Sequence, residues 1–112
     1  MPTSTATDKI RQLNDGFRRS LIFGGTVLMT PGVQSLSDSG RQALFEAVRR
    51  FDSFTADNDP HGEHDFGAIE QAGVRFFWKI DYYDLQHRYA SPDAADPSVT
   101  HRVLTIMRAD EY

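Results

Sequence analysis

Five side chains able to hold a metal or carry a proton fall within seven positions of this chain: Asp59, His61, Glu63, His64 and Asp65. Extended backbone has a period of two, so His61, Glu63 and Asp65 would share one side. That is a nitrogen-and-oxygen donor set of the kind zinc or manganese accepts. The same residue types also suit metal-free acid–base cleavage of a phosphodiester. His61 and His64, or a histidine with Glu63, would move protons, and Arg102 beside His101 would stabilise the developing charge. A plainer reading is equally open. Asp59-Pro60 starts turns and Gly62 is an ordinary loop residue, so the acidic side chains would cap backbone groups and the loop would present a binding surface.

Several chemistries are excluded by what is missing. His61-Gly62-Glu63 matches the histidine and glutamate of a zinc deaminase, but that site requires a cysteine pair and the chain has no cysteine. Thiolate metal centres, disulfides and cysteine nucleophiles fall for the same reason. The patterns HExxH, GxxxxGK[ST], GxGxxG and GxSxG are all absent. A net charge of −4 argues against a non-specific nucleic-acid binder, since that affinity rests on Lys and Arg neutralising phosphates. Ten of the twelve basic residues are arginine, whose planar fork suits buried or interfacial ion pairs. The sequence holds no apolar run of about 18 residues and no basic segment leading into an apolar one, which points to a cytoplasmic protein with no membrane partner. No cofactor is implied.

The elements that must position the loop follow from periodicity. At 112 residues, with 39% apolar and 12% aromatic content, the chain makes one domain, 1–112, with enough apolar surface for a single core. Residues 1–7 are small and polar and are expected to fray, with Thr7 capping a helix from Asp8. Ile10, Leu13, Phe17 and Leu21 recur at helical spacing; Asn14-Asp15-Gly16 would end a shorter helix, and otherwise Gly24-Gly25 stops it. Thr26–Thr30 reads as a strand closed by a Pro31-Gly32 turn. Ser37 or Ser39 caps a second helix through Arg50, with Leu44, Val48 and Phe51 on its apolar side, and Phe51–Thr55 reads as a short extended piece.

Val74 to Tyr83 alternates cleanly, with Val74, Phe76, Trp78, Ile80 and Tyr82 on the inward side and Arg75, Phe77, Lys79, Asp81 and Tyr83 opposite. A three-residue loop, Gln71-Ala72-Gly73, would pair Glu70 with Val74, Ala68 with Phe76 and Phe66 with Trp78. Leu85–Tyr89 suits a helical turn, Ser91–Ser98 a loop and Thr100–Met107 a closing strand. The sum is an α+β fold, two helices packed on a four- or five-stranded, mainly antiparallel sheet. Were the last strand an uncovered edge, it would pair with a second copy across a two-fold axis, giving a homodimer.

The segments FDSFTADNDPHGEHDFG, WKIDYYD, SPDAADPSVTHRVLTIM and the terminal ADEY resemble a small uncharacterised bacterial family of unknown function, common on plasmids and other mobile elements. The likeness runs from about Asn14 to Tyr112, with Ala94 standing where such sequences read proline. It implies no activity and no catalytic residues; the genetic setting implies an accessory role alongside or against host defence. The expectation is therefore a non-enzymatic module that binds a protein partner through Asp59, His61, Glu63, His64 and Asp65 together with Lys79, Asp81 and Tyr83. The contrasting expectation is a metal-dependent or acid–base phosphodiesterase or nuclease built on the Asp59–Asp65 loop, with His61, Glu63, His64, His101 and Arg102 as its catalytic candidates and His61, Glu63 and Asp65 as its metal candidates.

Overall fold

A computed structural model describes residues 5–112; of residues 1–7, expected to fray, 1–4 lie outside the described residues while Ala6 and Thr7 are helical. Helix α1 spans Ala6–Ser20. It starts two residues earlier than expected, because Thr5 and not Thr7 is the cap: Asp8 N–H donates to the Thr5 hydroxyl while the Asp8 carboxylate accepts from Thr5 N–H, a reciprocal capping box. The helix runs straight through Asn14-Asp15-Gly16 and closes before Gly24-Gly25, on Leu21 in the left-handed region. Strand β1 is Thr26–Met29. Pro31-Gly32 is not a simple turn: it opens a one-turn helix, α2, Pro31–Gln34, with proline at the first helical position where its fixed φ fits. Helix α3, Asp38–Arg50, is capped by Ser37, whose hydroxyl accepts from Gly40 N–H. The expected extended piece after it, Phe51–Thr55, forms no strand.

Three strands follow, β2 Phe66–Gln71, β3 Val74–Tyr83 and β4 His101–Arg108, and the chain ends in a 3-10 turn, Ala109–Glu111. The segment expected as a helical turn, Leu85–Tyr89, contains turns and bends only. The sheet order is β1-β4-β3-β2; β4 runs parallel to β1 and antiparallel to β3, and β2 pairs antiparallel with β3. The fold is thus α+β with a mostly antiparallel sheet, as expected, and with three helices where two were expected. The closing strand lies inside the sheet, between β1 and β3, so both its edges are already hydrogen-bonded and it offers no edge for pairing a second copy.

The hairpin register differs by one residue from the expectation. Gln71 faces Val74 and a two-residue turn, Ala72-Gly73, joins the strands; both residues have positive φ, the signature of the type I′ turn that matches strand twist. Alanine enters that region at a cost, which is why residue type alone favoured a longer loop with glycine as its single left-handed position. The slip sends side chains to the other face. Phe66 lies opposite Lys79 with its ring against Phe77, and Gly67 takes the place opposite Trp78. Trp78 explains the choice: it is fully buried, and a Cβ on Gly67 would collide with its indole nitrogen. Around Trp78, the inward residues Phe76, Ile80, Leu104 and Ile106 form one core with Phe17 of α1, Val33 of α2, and Leu44 and Val48 of α3.

Two glycines therefore carry opposite expectations. Gly16 is exposed in the interior of α1 with open space around it, so Gly16→Ala is expected to stabilise the protein by about 0.5–1 kcal/mol. Gly67→Ala must displace the indole and is expected to cost about 1–3 kcal/mol. Chemical denaturation of the two variants checks both signs.

Candidate functional site

The acidic and imidazole loop is clamped onto α1. Asn14 is the centre of the clamp, fully buried although polar. Its amide nitrogen donates to the Glu63 carbonyl at 3.0 Å and to the Tyr82 hydroxyl at 2.7 Å, and its oxygen accepts from Arg102 Nε at 2.8 Å. Arginine only donates, so the asparagine oxygen must face Arg102 and its two N–H groups must face the other way. The Tyr82 hydroxyl in turn donates to Glu63 Oε1 at 2.8 Å. Burial holds the Tyr82 hydroxyl well above the usual tyrosine pKa, so it stays a donor at any physiological pH. Arg102 lies opposite Tyr82 across the strand pair, with its guanidinium 5.1 Å from the ring centre and its Nη2 donating to the Ala94 carbonyl.

A second set of bonds fixes the loop from its other side. Arg11 Nη1 donates to the Gly62 carbonyl at 2.9 Å. His64 Nδ1 lies 2.8 Å from Asp15 Oδ1; an ionised carboxylate only accepts, so this nitrogen carries the proton. The imidazole lies flat on Phe54 at 3.7 Å, its backbone N–H donates to Asp59 Oδ1, and its φ is positive. Asp15 also takes Arg18 Nη2 at 3.1 Å, while Arg18 Nη1 reaches the carbonyls of Val48 and Arg49 at the end of α3. One buried arginine thus joins both long helices to the loop.

The candidate residues consequently fall into three places. Asp59, Glu63 and His64 sit in the clamp, already engaged with protein partners, and Asp65 continues the sheet by accepting from Ile80 N–H with its carbonyl. His61 is exposed and does not join them. Lys79, Asp81 and Tyr83 project from the other face of the sheet, where Lys79 Nζ and Asp81 Oδ2 pair at 3.0 Å. His101 also belongs to that face, stacked on His87 at 4.0 Å and bonded to the Thr26 hydroxyl at 2.9 Å. His101 and Arg102 are adjacent in sequence but reach into different surroundings, as strand alternation requires. Among the described residues, no three His, Asp or Glu side chains gather closely enough to hold a metal ion, so His61, Glu63 and Asp65 do not form the donor set their spacing suggested.

Sequence reasoning passed over Arg11, Asn14, Asp15 and Arg18. One signal was present: on a helix, Asn14 and Arg18 share the stripe of Ile10 and Phe17, at spacings of three and four, so a polar pair interrupts an apolar face. A buried polar group of that kind needs partners, and the loop supplies them.

Asp65 makes the site sensitive to pH. Burial, reinforced by the neighbouring Glu63 charge, raises its carboxyl above the ordinary aspartate value of 3.8. A carboxyl raised in the folded state favours folding when protonated, and that contribution, complete below 3.8, is lost as pH climbs through the folded value. Asp65→Asn is therefore expected to raise the melting temperature at pH 7, with the gain shrinking as pH falls towards 3.8. Melting curves of the two proteins between pH 3 and pH 8 check this.

No helix among the described residues is long and apolar enough to cross a membrane. Comparison with curated proteins and with solved structures finds no match. A family model does match, over residues 29–111, a span that begins after α1 and later than the resemblance noted from Asn14 onwards. The blocks around Asp59–Asp65, Trp78 and Arg102 all lie inside it, and on that match the chain belongs to the family described as protein of unknown function, DUF3768.

Proposed function

We propose that this protein is a small non-enzymatic accessory module that binds a protein partner through the helix-free face of its sheet. One observation carries the reading. The helices pack on the face bearing Phe76, Trp78, Ile80, Leu104 and Ile106, which leaves the opposite face without helical cover. There Leu28, which is 51% exposed, faces Thr105, and Thr105 faces Lys79, so an apolar residue, a hydroxyl and a charge run in one row across three strands. Phe66 and Phe77 extend the surface towards β2, where Tyr112 meets both rings edge-on. Aromatic and aliphatic groups around a sparse set of charges are what protein interfaces use. Among the described residues of this face Lys79 is paired with Asp81 and Arg75 lies over the Phe77 ring, so they form no stripe of free cations of the kind a phosphate backbone would require.

The state of the loop supports the same reading. Catalytic carboxylates and imidazoles must be available to a substrate, whereas Glu63 and His64 already have protein partners. Their bonds give the domain a fixed shape, and a preformed surface loses less conformational freedom on binding. The setting implied by the family resemblance is a mobile element, where such a module would act on a protein of the host's defences.

Site-directed photo-cross-linking in the native host tests the proposal. Benzoylphenylalanine at Leu28 is expected to give a discrete heterologous adduct that Lys79→Glu abolishes, while the same probe at His61 gives none. An adduct from His61 alone, a Leu28 adduct indifferent to Lys79→Glu, an adduct between two copies of this chain, or no adduct at all would each overturn it.

A further inference from the structure

The two buried arginines are treated differently by the fold. Arg18 has a carboxylate, Asp15 at 3.1 Å, and two backbone carbonyls, although its Nε is buried without a partner among the described residues. Arg102 is only 3% exposed, yet among the described residues no carboxylate lies within 4.0 Å of it. Its protein partners are the Asn14 side-chain oxygen, the Ala94 carbonyl and the face of the Tyr82 ring, all uncharged. The nearby carboxylate, Glu63, accepts from the Tyr82 hydroxyl and acts on Arg102 only through space. A guanidinium taken out of water without a carboxylate in contact is expensive, and its third nitrogen, Nη1, has no hydrogen-bond partner among the described residues and is not among the side-chain atoms closed off from solvent.

Arg102 also borders a cleft of about 360 Å³ at the end of the sheet where β1 and β4 begin. Leu13 of α1 and Pro97 supply apolar walls, Gly24 and Gly25 lie along the approach to β1, and Thr100 and His101 complete the rim. The Thr100 hydroxyl is occupied by the Asp93 carbonyl and the Ser91 hydroxyl, which leaves Arg102 as the cleft's charge. Gly25 is pressed so closely to the Arg102 carbonyl that any side chain there would collide with it, and with the Phe17 ring, so the narrow approach depends on glycine.

We propose that this cleft binds a small organic oxyanion, an apolar body carrying one carboxylate or phosphate group that pairs with Arg102. The planar fork of arginine matches both head groups. The cleft exceeds what a bare inorganic ion fills and sits at the lower end of the volumes that small-molecule sites occupy, about 300–1,000 Å³. The cleft meets the helix-free sheet face only at His101, and the proposal does not depend on the partner proposed for that face.

The test is an NMR titration of the full-length, nitrogen-15-labelled chain with benzoate, phenyl phosphate, neutral benzyl alcohol and inorganic phosphate. At least one organic anion is expected to shift the Gly24 and Gly25 amides and the Arg102 Nε–H saturably, with affinity at least about tenfold above benzyl alcohol and inorganic phosphate. Benzoate against phenyl phosphate tells the preferred head group. Pro97→Glu, an exposed substitution that leaves Arg102 and its bonds in place, is expected to weaken that binding by at least about tenfold while the rest of the spectrum stays folded. Organic anions no better than the neutral alcohol or inorganic phosphate, shifts confined to other surfaces, or a Pro97→Glu protein that binds as well as the parent would overturn the proposal.

Discussion

The structure depends on one buried asparagine. Asn14 satisfies three groups that no apolar residue could serve: the Glu63 carbonyl in the loop, the Tyr82 hydroxyl on β3 and Arg102 Nε on β4. An unpaired polar group in this position costs about 1–3 kcal/mol, more where a charge is involved, so the three bonds matter chiefly through what their loss would leave exposed to the apolar interior. The asparagine works as a register pin. Helix α1 can slide or turn on the sheet only by breaking bonds to two strands and the loop at once.

A second constraint organises the sheet. Trp78 occupies the middle of the inward face and needs a residue without a side chain beside it, which Gly67 provides once the hairpin turns in two residues. That register sends Phe66 to the outer face to join Phe77 and Tyr112. The tryptophan thus shapes both surfaces. It draws the helices to one side, and through the register it gathers the aromatic residues on the other.

Much of this was legible because it was local. The alternation of Val74 to Tyr83 gave β3 and the burial of Trp78, the two serines flanking Asp38 bracketed the start of α3, and the β-branched run Thr100–Met107 gave β4 within one residue. The α+β class followed from those elements. What escaped depended on contacts distant in sequence. Asn14 and Arg102 are 88 positions apart, and no spacing rule links them. Asn14-Asp15-Gly16 looked like a helix end because asparagine, aspartate and glycine favour turns when nothing else holds them; here tertiary bonds to the loop outweigh that preference. The hairpin register failed for a related reason: Ala72 accepts a left-handed conformation that the packing of Trp78 enforces. The interior position of β4 rests on its parallel pairing with β1, a contact across more than seventy residues.

If the polar loop is held by Asn14, then its carboxylates and imidazole are structural members and partner recognition belongs to other surfaces. Hydrogen exchange and unfolding of Asn14→Leu measure this most directly, since leucine keeps the volume and removes every bond. The account predicts a loss of about 3 kcal/mol in unfolding free energy, with the amides of Gly62 to Asp65 exchanging at rates close to those of an unstructured loop. A loss below about 1 kcal/mol, with those amides as protected as in the parent, would contradict it.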